Sequence, residues 1–389
     1  MSEFIQRVTR AFAHETPDRT PLFELFQPYH PIHWPICGRT IATDMAMAWD
    51  AMAEGVTAAE QLEAEAQAQY RIRKFFGLDM VRLNGCPALV RPVKTARNQW
   101  TLNGIAYVLN ERTQLIEPLN PGQEAADSRR SSEADFRRQV DAWDGGSQPV
   151  PTDVDPLFRR VKELAEADGI HWVYMGEIGA GTGVAFYPPF LLMLMLDEPD
   201  LYRRWLDMQK AASFPRTVQL IRRGCRVIAM GGDVSCDKGP FISPACYREF
   251  ILPVIQEHVR LIHEEGALAV YTSDGNHWPI QDDFFFNSGI DGYKEVDQAA
   301  GMTWPRLIEA GIDRRVCIIG NIDARHTLCH ATPADVEREV VECLDYGRKS
   351  PGGHILHASH SVHEDVKAEN YLAAISAYRR YFGLEPLSL

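Results

Sequence analysis

A chain of 389 residues, 45% hydrophobic and 24% charged, carries enough apolar side chain for a large core, which excludes a disordered or fibrous protein. Its formal charge of −13 repels a polyphosphate backbone, and no cluster of Lys and Arg interleaved with aromatics offsets that, so nucleic acid is excluded as a partner. Met1 to Phe12 holds Glu3 and polar residues where a secretion signal needs apolar ones, and no apolar run approaches a membrane span, so a soluble cytoplasmic protein is expected.

Thr20–Phe26 reads as a first strand. Asp44–Phe76, rich in Ala, Glu, Gln and Met, reads as two helices broken near Gly55. A second strand is expected at Met80–Leu83, followed by a β-hairpin over Arg97–Glu117 that turns at Asn103-Gly104. Asn120–Asp155 is rich in Pro, Gly and Ser and reads as loop, and it leads into a helix over Asp155–Ala167. From there short strands alternate with helical spacing: His171–Met175, Arg226–Met230, Leu268–Thr272, Gly292–Glu295, Val316–Ile319 and His354–Ala358. The clearest helix starts at Ser243-Pro244, an N-cap followed by proline, and runs to Gly266; Pro333–Tyr346 and Ala368–Tyr381 are also helical. Eight strands alternating with helices specify an α/β chain folded as a (β/α)8 TIM barrel, with the N-terminal helices and the hairpin as insertions. A boundary within Asn120–Asp155 would leave the N-terminal part without its own core, so residues 1–389 are read as one domain.

Polar residues recur where these strands end, and in a barrel such ends converge on one mouth. Glu177, Asp233, Asp274, Asn276, Glu295, Asp297, Asn321 and Asp323 all follow strands in this way, and His357, His360 and His363 lie at or beyond the end of the last one. Any one acid could simply cap the next helix; the recurrence points to a shared pocket. Of the histidines spaced by three, only one or two can face the mouth, because residues three apart on a strand point to opposite faces, and His360 in its Ser-His-Ser turn is the best placed. Tyr29, His33 and Trp34 after the first strand suggest walls for a planar substrate, with a mere cover over the barrel as the competing reading. Ile178–Gly183 looks like a phosphate loop but lacks a placed Lys and a following helix, so it reads as a tight turn. Eight cysteines are scattered without a Cys-x-x-Cys pair and read as free thiols, Cys236 alone having a context suited to chemistry.

The ordered set His14-Glu-Thr-Pro-Asp-Arg19, Gly239-Pro-Phe-Ile-Ser-Pro244, Thr272-Ser-Asp-Gly-Asn276, Gly289-Ile-Asp-Gly292, Gly320-Asn-Ile-Asp323 and Gly352-Gly-His-Ile-Leu-His-Ala-Ser-His360 resembles the uroporphyrinogen decarboxylase superfamily. That superfamily includes methyltransferases serving corrinoid proteins and coenzyme M, and the resemblance implies the same barrel. Its decarboxylase branch binds tetrapyrrole carboxylates with an Arg-rich segment after the first strand, whereas Phe26–Trp34 here contains no arginine. Its methyltransferase branch holds zinc with a His-x-Cys pair and a late Cys, at positions that look like Thr272, Asp274 and His360 here.

The resemblance therefore implies a methyltransferase or O-demethylase that passes a methyl group from a small molecule to a corrinoid on a separate protein, since the chain shows no cobalamin-binding domain. Asp233, Asp274, His360 and Glu177 are the expected catalytic residues, with Tyr29, His33, Trp34, Asn276, Asn321 and Asp323 binding substrate. Asp274, His360 and Glu177 are expected to hold Zn2+ or another divalent ion as a harder O/N site. The alternative is a decarboxylase that uses Asp and His without a metal, and the resemblance also implies a homodimer.

Overall fold

In the computed structural model, which describes residues 2–120, 133–152 and 155–388, all eight expected strands are present. They are β1 (Phe23–Glu24), β2 (Met80–Val81), β3 (Val173–Gly179), β4 (Val227–Gly231), β5 (Leu268–Thr272), β6 (Gly292–Lys294), β7 (Cys317–Ile319) and β8 (His354–Ile355), paired in that order and all parallel. Parallel bridges Leu22↔Leu356 and Phe26↔Val362 join the first strand to the last and close an α/β TIM barrel.

Alternation along each strand divides the core. Phe23, Leu25, Met80, Val173, Met175, Val227, Ala229, Val270, Cys317, Ile319 and Ile355 fill the barrel interior, while the residues between them pack outward against helices. Helix α1 (Glu3–Phe12) plugs the N-terminal end with Val8, Ala11 and Phe12. Gly292 has no room for a side chain, because a Cβ there would lie 2.9 Å from the Phe12 ring.

The N-terminal insertion follows its sequence signals. Met45–Glu54 and Ala58–Phe76 are separate helices, and Gly55 at φ 98° ends the first in the left-handed cap that glycine favours. The expected hairpin is the centre of a four-stranded antiparallel sheet, Val93–Ala96, Gln99–Leu102, Ile105–Asn110 and Leu115–Pro118, turning at Asn103-Gly104 as expected. Trp100 anchors it by donating to Asp50 on the preceding helix at 2.9 Å. Part of the loop read over Asn120–Asp155, namely residues 121–132 and 153–154, lies outside the described residues. The remainder is not all loop: Glu133–Ala142 is helical and rests Phe136 on Phe190 and Trp205.

The helix begun by Ser243 contains a wider turn at Tyr247–Ile251 before continuing as Leu252–Glu264. Pro253 has no N–H to donate to Glu249, and widening the turn accommodates that gap. Helices Pro333–Lys349 and Ala368–Tyr381 pack against each other on the outer wall beside β8.

Candidate active site

The site begins with how β4 and β5 end. Val270 faces the barrel interior, so Thr272 does too, and the chain then turns through Ser273-Asp274-Gly275. A Cβ on Gly275, at φ 87°, would lie 2.9 Å from the Ser235 and Cys236 carbonyl groups, so no larger residue lets the two turns lie together. Ser273 Oγ accepts the Val234 N–H at 3.2 Å and donates to Asp274 O at 3.1 Å, and the Asp274 N–H donates to the Asp233 carboxylate. The adjacent turns thus fix Asp233 and Asp274 side by side.

Their proximity sets their acidity. Burial, then the charges of Asp233 and Glu295, push Asp274 up to about 6, with His360 opposing and Asp297 adding to the rise. Asp233 is likewise raised, by burial and by Glu295, against the Asp274 N–H and His360. Burial would raise Glu295 as well, but Lys294, whose Nζ lies 2.8 Å from Glu295 Oε1, together with His360 and His357 holds it below the usual range. Glu295 sits at φ 68°, left-handed backbone that a non-glycine residue adopts at a cost, and such strain clusters at functional sites.

A cavity of about 340 Å3 opens over this cluster, lined by Asp274, Asp297, Arg325, Cys329, His360 and His363. Arg325 bridges Asp297 at 3.0 Å and Asp237 at 2.9 Å across the rim. His360 is exposed, with Nδ1 3.0 Å from Ser361 Oγ and its ring 6.2 Å from that of His363. A larger groove of about 660 Å3 lies outside the barrel between the last two helices, but none of these raised carboxyls faces it.

The expected residues divide accordingly. Asp233, Asp274 and His360 act on one another electrostatically at one mouth. Glu177 ends β3 but is held by Arg82 Nε at 2.8 Å, and among the described residues no trio of His, Cys, Asp or Glu gathers closely enough to hold a metal ion. The ligand set Asp274, His360 and Glu177 is therefore not assembled here, because the Glu177 carboxylate is committed to Arg82 across β2 and β3.

Among the residues expected to bind substrate, Asn276 lies between the two turns, its N–H donating to Cys236 O at 2.9 Å and its Oδ1 accepting from Trp278 N–H at 3.0 Å. Asn321 is wholly buried with its amide donating to Met302 O, and Asp323 caps a turn by accepting from the N–H groups of Arg325 and His326. Tyr29 packs on Ala48 and Met52, His33 is buried edge-on to Phe26, and Trp34 donates to Thr43 O under Arg39. None of these six lines the cavity; they hold the insertion and the loops in place. Cys236 Sγ donates to Gly239 O within its own hairpin. Among the histidines, His354 is bound to Gly320 O at 2.7 Å, whereas His363 joins His360 in the cavity because the chain has left the strand by then.

Sequence reasoning missed three cations, Lys294, Arg82 and Arg325. The signal for Lys294 was available: a lone lysine at the inward-facing last position of an otherwise apolar strand. Nothing local marked Arg325, whose partners are 28 and 88 residues away.

The Ile178–Gly183 turn has a structural purpose. Gly183 and Gly232 meet backbone to backbone, and a Cβ on Gly232, at φ 142°, would sit 2.4 Å from Gly183. Gly232→Ala is expected to destabilise the protein by about 2–3 kcal/mol and to displace Asp233, as urea denaturation and the activity of the folded fraction would show; a loss under about 0.5 kcal/mol would contradict this.

The chain is 32% identical over 217 residues to a uroporphyrinogen decarboxylase from Actinobacillus succinogenes, covering 54% of this chain and 55% of that protein. It is 25% identical over 210 residues to one from Chlorobium phaeobacteroides, covering 52% and 55%. It thus spans about half the length of the curated relatives it matches. A solved methyltransferase from Methanosarcina mazei shares the fold with a TM-score of 0.64 at 17% identity, over 97% of this chain and 99% of that one. Residues 179–381, which carry β4 to β8 and the acid cluster, match the family model described as uroporphyrinogen decarboxylase (URO-D), and the chain belongs to that family.

Proposed function

We propose that this chain is a methyltransferase or O-demethylase-type enzyme that moves a methyl group from a small substrate to a corrinoid carried by a separate protein. The observation that carries the reading is Asp274, a carboxyl pushed up to about 6 in the mouth of the barrel, within the field of Asp233, Glu295 and His360. Demethylating an ether leaves an electron pair on oxygen, and a carboxylic acid that keeps its proton near neutral pH can supply the missing hydrogen. As the acceptor takes the methyl carbon, the carbon–oxygen bond breaks with its pair on oxygen, and that oxygen takes the Asp274 proton. Asp233 and Glu295 keep the proton on Asp274 beforehand by making its anion costly, and exposed His360 can return a proton from solvent. The fold shared with a methyltransferase supports this reading.

Likeness to proteins named uroporphyrinogen decarboxylase favours a second reading, a carboxy-lyase in which Asp233 or Asp274 stabilises a protonated intermediate and His360 orients the carboxylate. The mouth disfavours the tetrapyrrole itself: Asp233, Asp274, Glu295 and Asp297 would repel a ring of carboxylates, and Phe26–Trp34 supplies no arginine. Purified protein with reduced cobalamin as a soluble acceptor and a panel of methyl ethers should form methylcobalamin, seen by its absorbance, and should form no coproporphyrinogen from uroporphyrinogen. Coproporphyrinogen without methylcobalamin would reverse the assignment.

A further inference from the structure

The uppermost layer inside the barrel holds polar atoms that the fold leaves unsatisfied. Thr272 and Lys294 are register partners on β5 and β6, each two residues beyond an inward-facing position, Val270 and Gly292. His357 lies two residues beyond inward-facing Ile355, with its ring against inward-facing Phe23 at 4.8 Å. The three side chains therefore project into one space at the floor of the mouth, and Lys294 and His357 both act on Glu295, which borders Asp274.

Each has bonding capacity to spare. Lys294 is fully buried, and its ammonium, with three N–H donors, lies against Glu295 alone among the described acceptors. His357 Nδ1 lies 2.8 Å from Glu24 Oε1, itself buried and accepting the Leu25 N–H, a close contact without hydrogen-bond alignment, and Nε2 has no partner either. Thr272 Oγ1 is buried and unpartnered too. Buried polar groups are nearly always hydrogen-bonded, so such a trio marks a place for an absent polar group. The donors of an ammonium and a hydroxyl suit an anionic oxygen pair, and His357 adds a third at Nε2 when both of its ring nitrogens carry protons, Nδ1 facing the Glu24 carboxylate; the acids above leave no room electrostatically for a second anion.

We propose that Lys294, Thr272 and His357 form a subsite for one carboxylate of the substrate, carried beneath Asp274 on an otherwise uncharged body. The subsite deepens the methyl-transfer reading and rests on it for the placement of the methyl ether at Asp274. Calorimetry with benzoate and its uncharged isostere benzamide reads the subsite directly. Benzoate is expected to bind at least about tenfold more tightly than benzamide, with Lys294→Met erasing that preference and Thr272→Val, which keeps shape and should fold, weakening benzoate several-fold. Equal binding of the two probes, no benzoate binding by the wild type, or full benzoate affinity in Thr272→Val and in whatever folded Lys294→Met is obtained would overturn the proposal. The two readings also fail separately. Selective benzoate binding without methyl transfer from any ether leaves the subsite standing and removes the reaction, whereas methyl transfer from neutral ethers as fast as from carboxylated ones removes the subsite and leaves the reaction.

Discussion

Asp274→Asn is expected to lower kcat for methyl transfer by about 10²–10⁴-fold, the range a positioned general acid contributes, while changing KM little. The wild-type pH profile should carry the same signature. Asp274 is pushed up to about 6, so the proton-bearing form dominates below that pH, and kcat should fall about tenfold per unit above it. Asp233→Asn removes a like charge that helps raise Asp274, and the descending limb should move to lower pH. Stability should fall over the same pH range as activity. Because folding raises Asp274 from 3.8 to about 6, the folded state holds the proton more tightly, and the associated stability is full below 3.8 and lost as pH rises through about 6. At pH 8 the ionised carboxylate is a cost to the native fold. Asp274→Asn should therefore be more stable than wild type by about 1–2 kcal/mol, discounted for the solvent that reaches it, in urea denaturation at that pH. A variant that retains activity, or a profile without a limb near pH 6, would remove Asp274 from the acid's role.

The barrel was legible because its signals are local and repeated. Leu268–Thr272 has the same bounds in sequence and structure, and Gly55 and Asn103-Gly104 mark turns that only a few residue types make well. Strand ends such as β1 were shorter than expected because hydrogen bonding stops where the flanking loops diverge, although the apolar pattern continues through Leu25 and Phe26. The acid cluster was legible in part: Asp233 and Asp274 could be placed at one mouth from topology alone. Their partners could not be assigned, since the distance from Glu177 to Arg82, or from Arg325 to Asp237 and Asp297, depends on how loops from different strands fold over the rim. For the same reason an acid after a strand does not announce whether it faces substrate, as Asp274 does the cavity, or caps its own turn, as Asp323 does.

The opposite end of the barrel should carry stability instead of chemistry, and Asp79 is the residue through which to test this. It stands immediately before β2, wholly buried, and its carboxylate takes Arg19 at 2.7 Å, the Leu22 N–H at 2.9 Å and the guanidinium of Arg7, a residue only 3% exposed. Arg7 belongs to the plugging helix, Leu22 leads into β1, and Arg19 also meets Tyr378 of the last helix, so one carboxylate ties the plug, the first strands and the closing helix together. Removing it leaves Arg7 with Asp18 and Glu3 only, at the edge of its site, and takes the buried carboxylate from Arg19; breaking a buried pair in this way costs about 3–5 kcal/mol. Asp79→Ala is therefore expected to lose that much in urea denaturation. Asp79→Asn, which keeps the shape and can still accept the Leu22 N–H, should lose less, about 2–3 kcal/mol. Because Asp79 lies at the far end of the strands from Asp274, kcat per folded molecule should stay within about twofold of wild type in both variants. A cost below about 1 kcal/mol for Asp79→Ala would show that the plug is held by its apolar face alone, and a large fall in kcat would show that the two ends of the barrel are coupled.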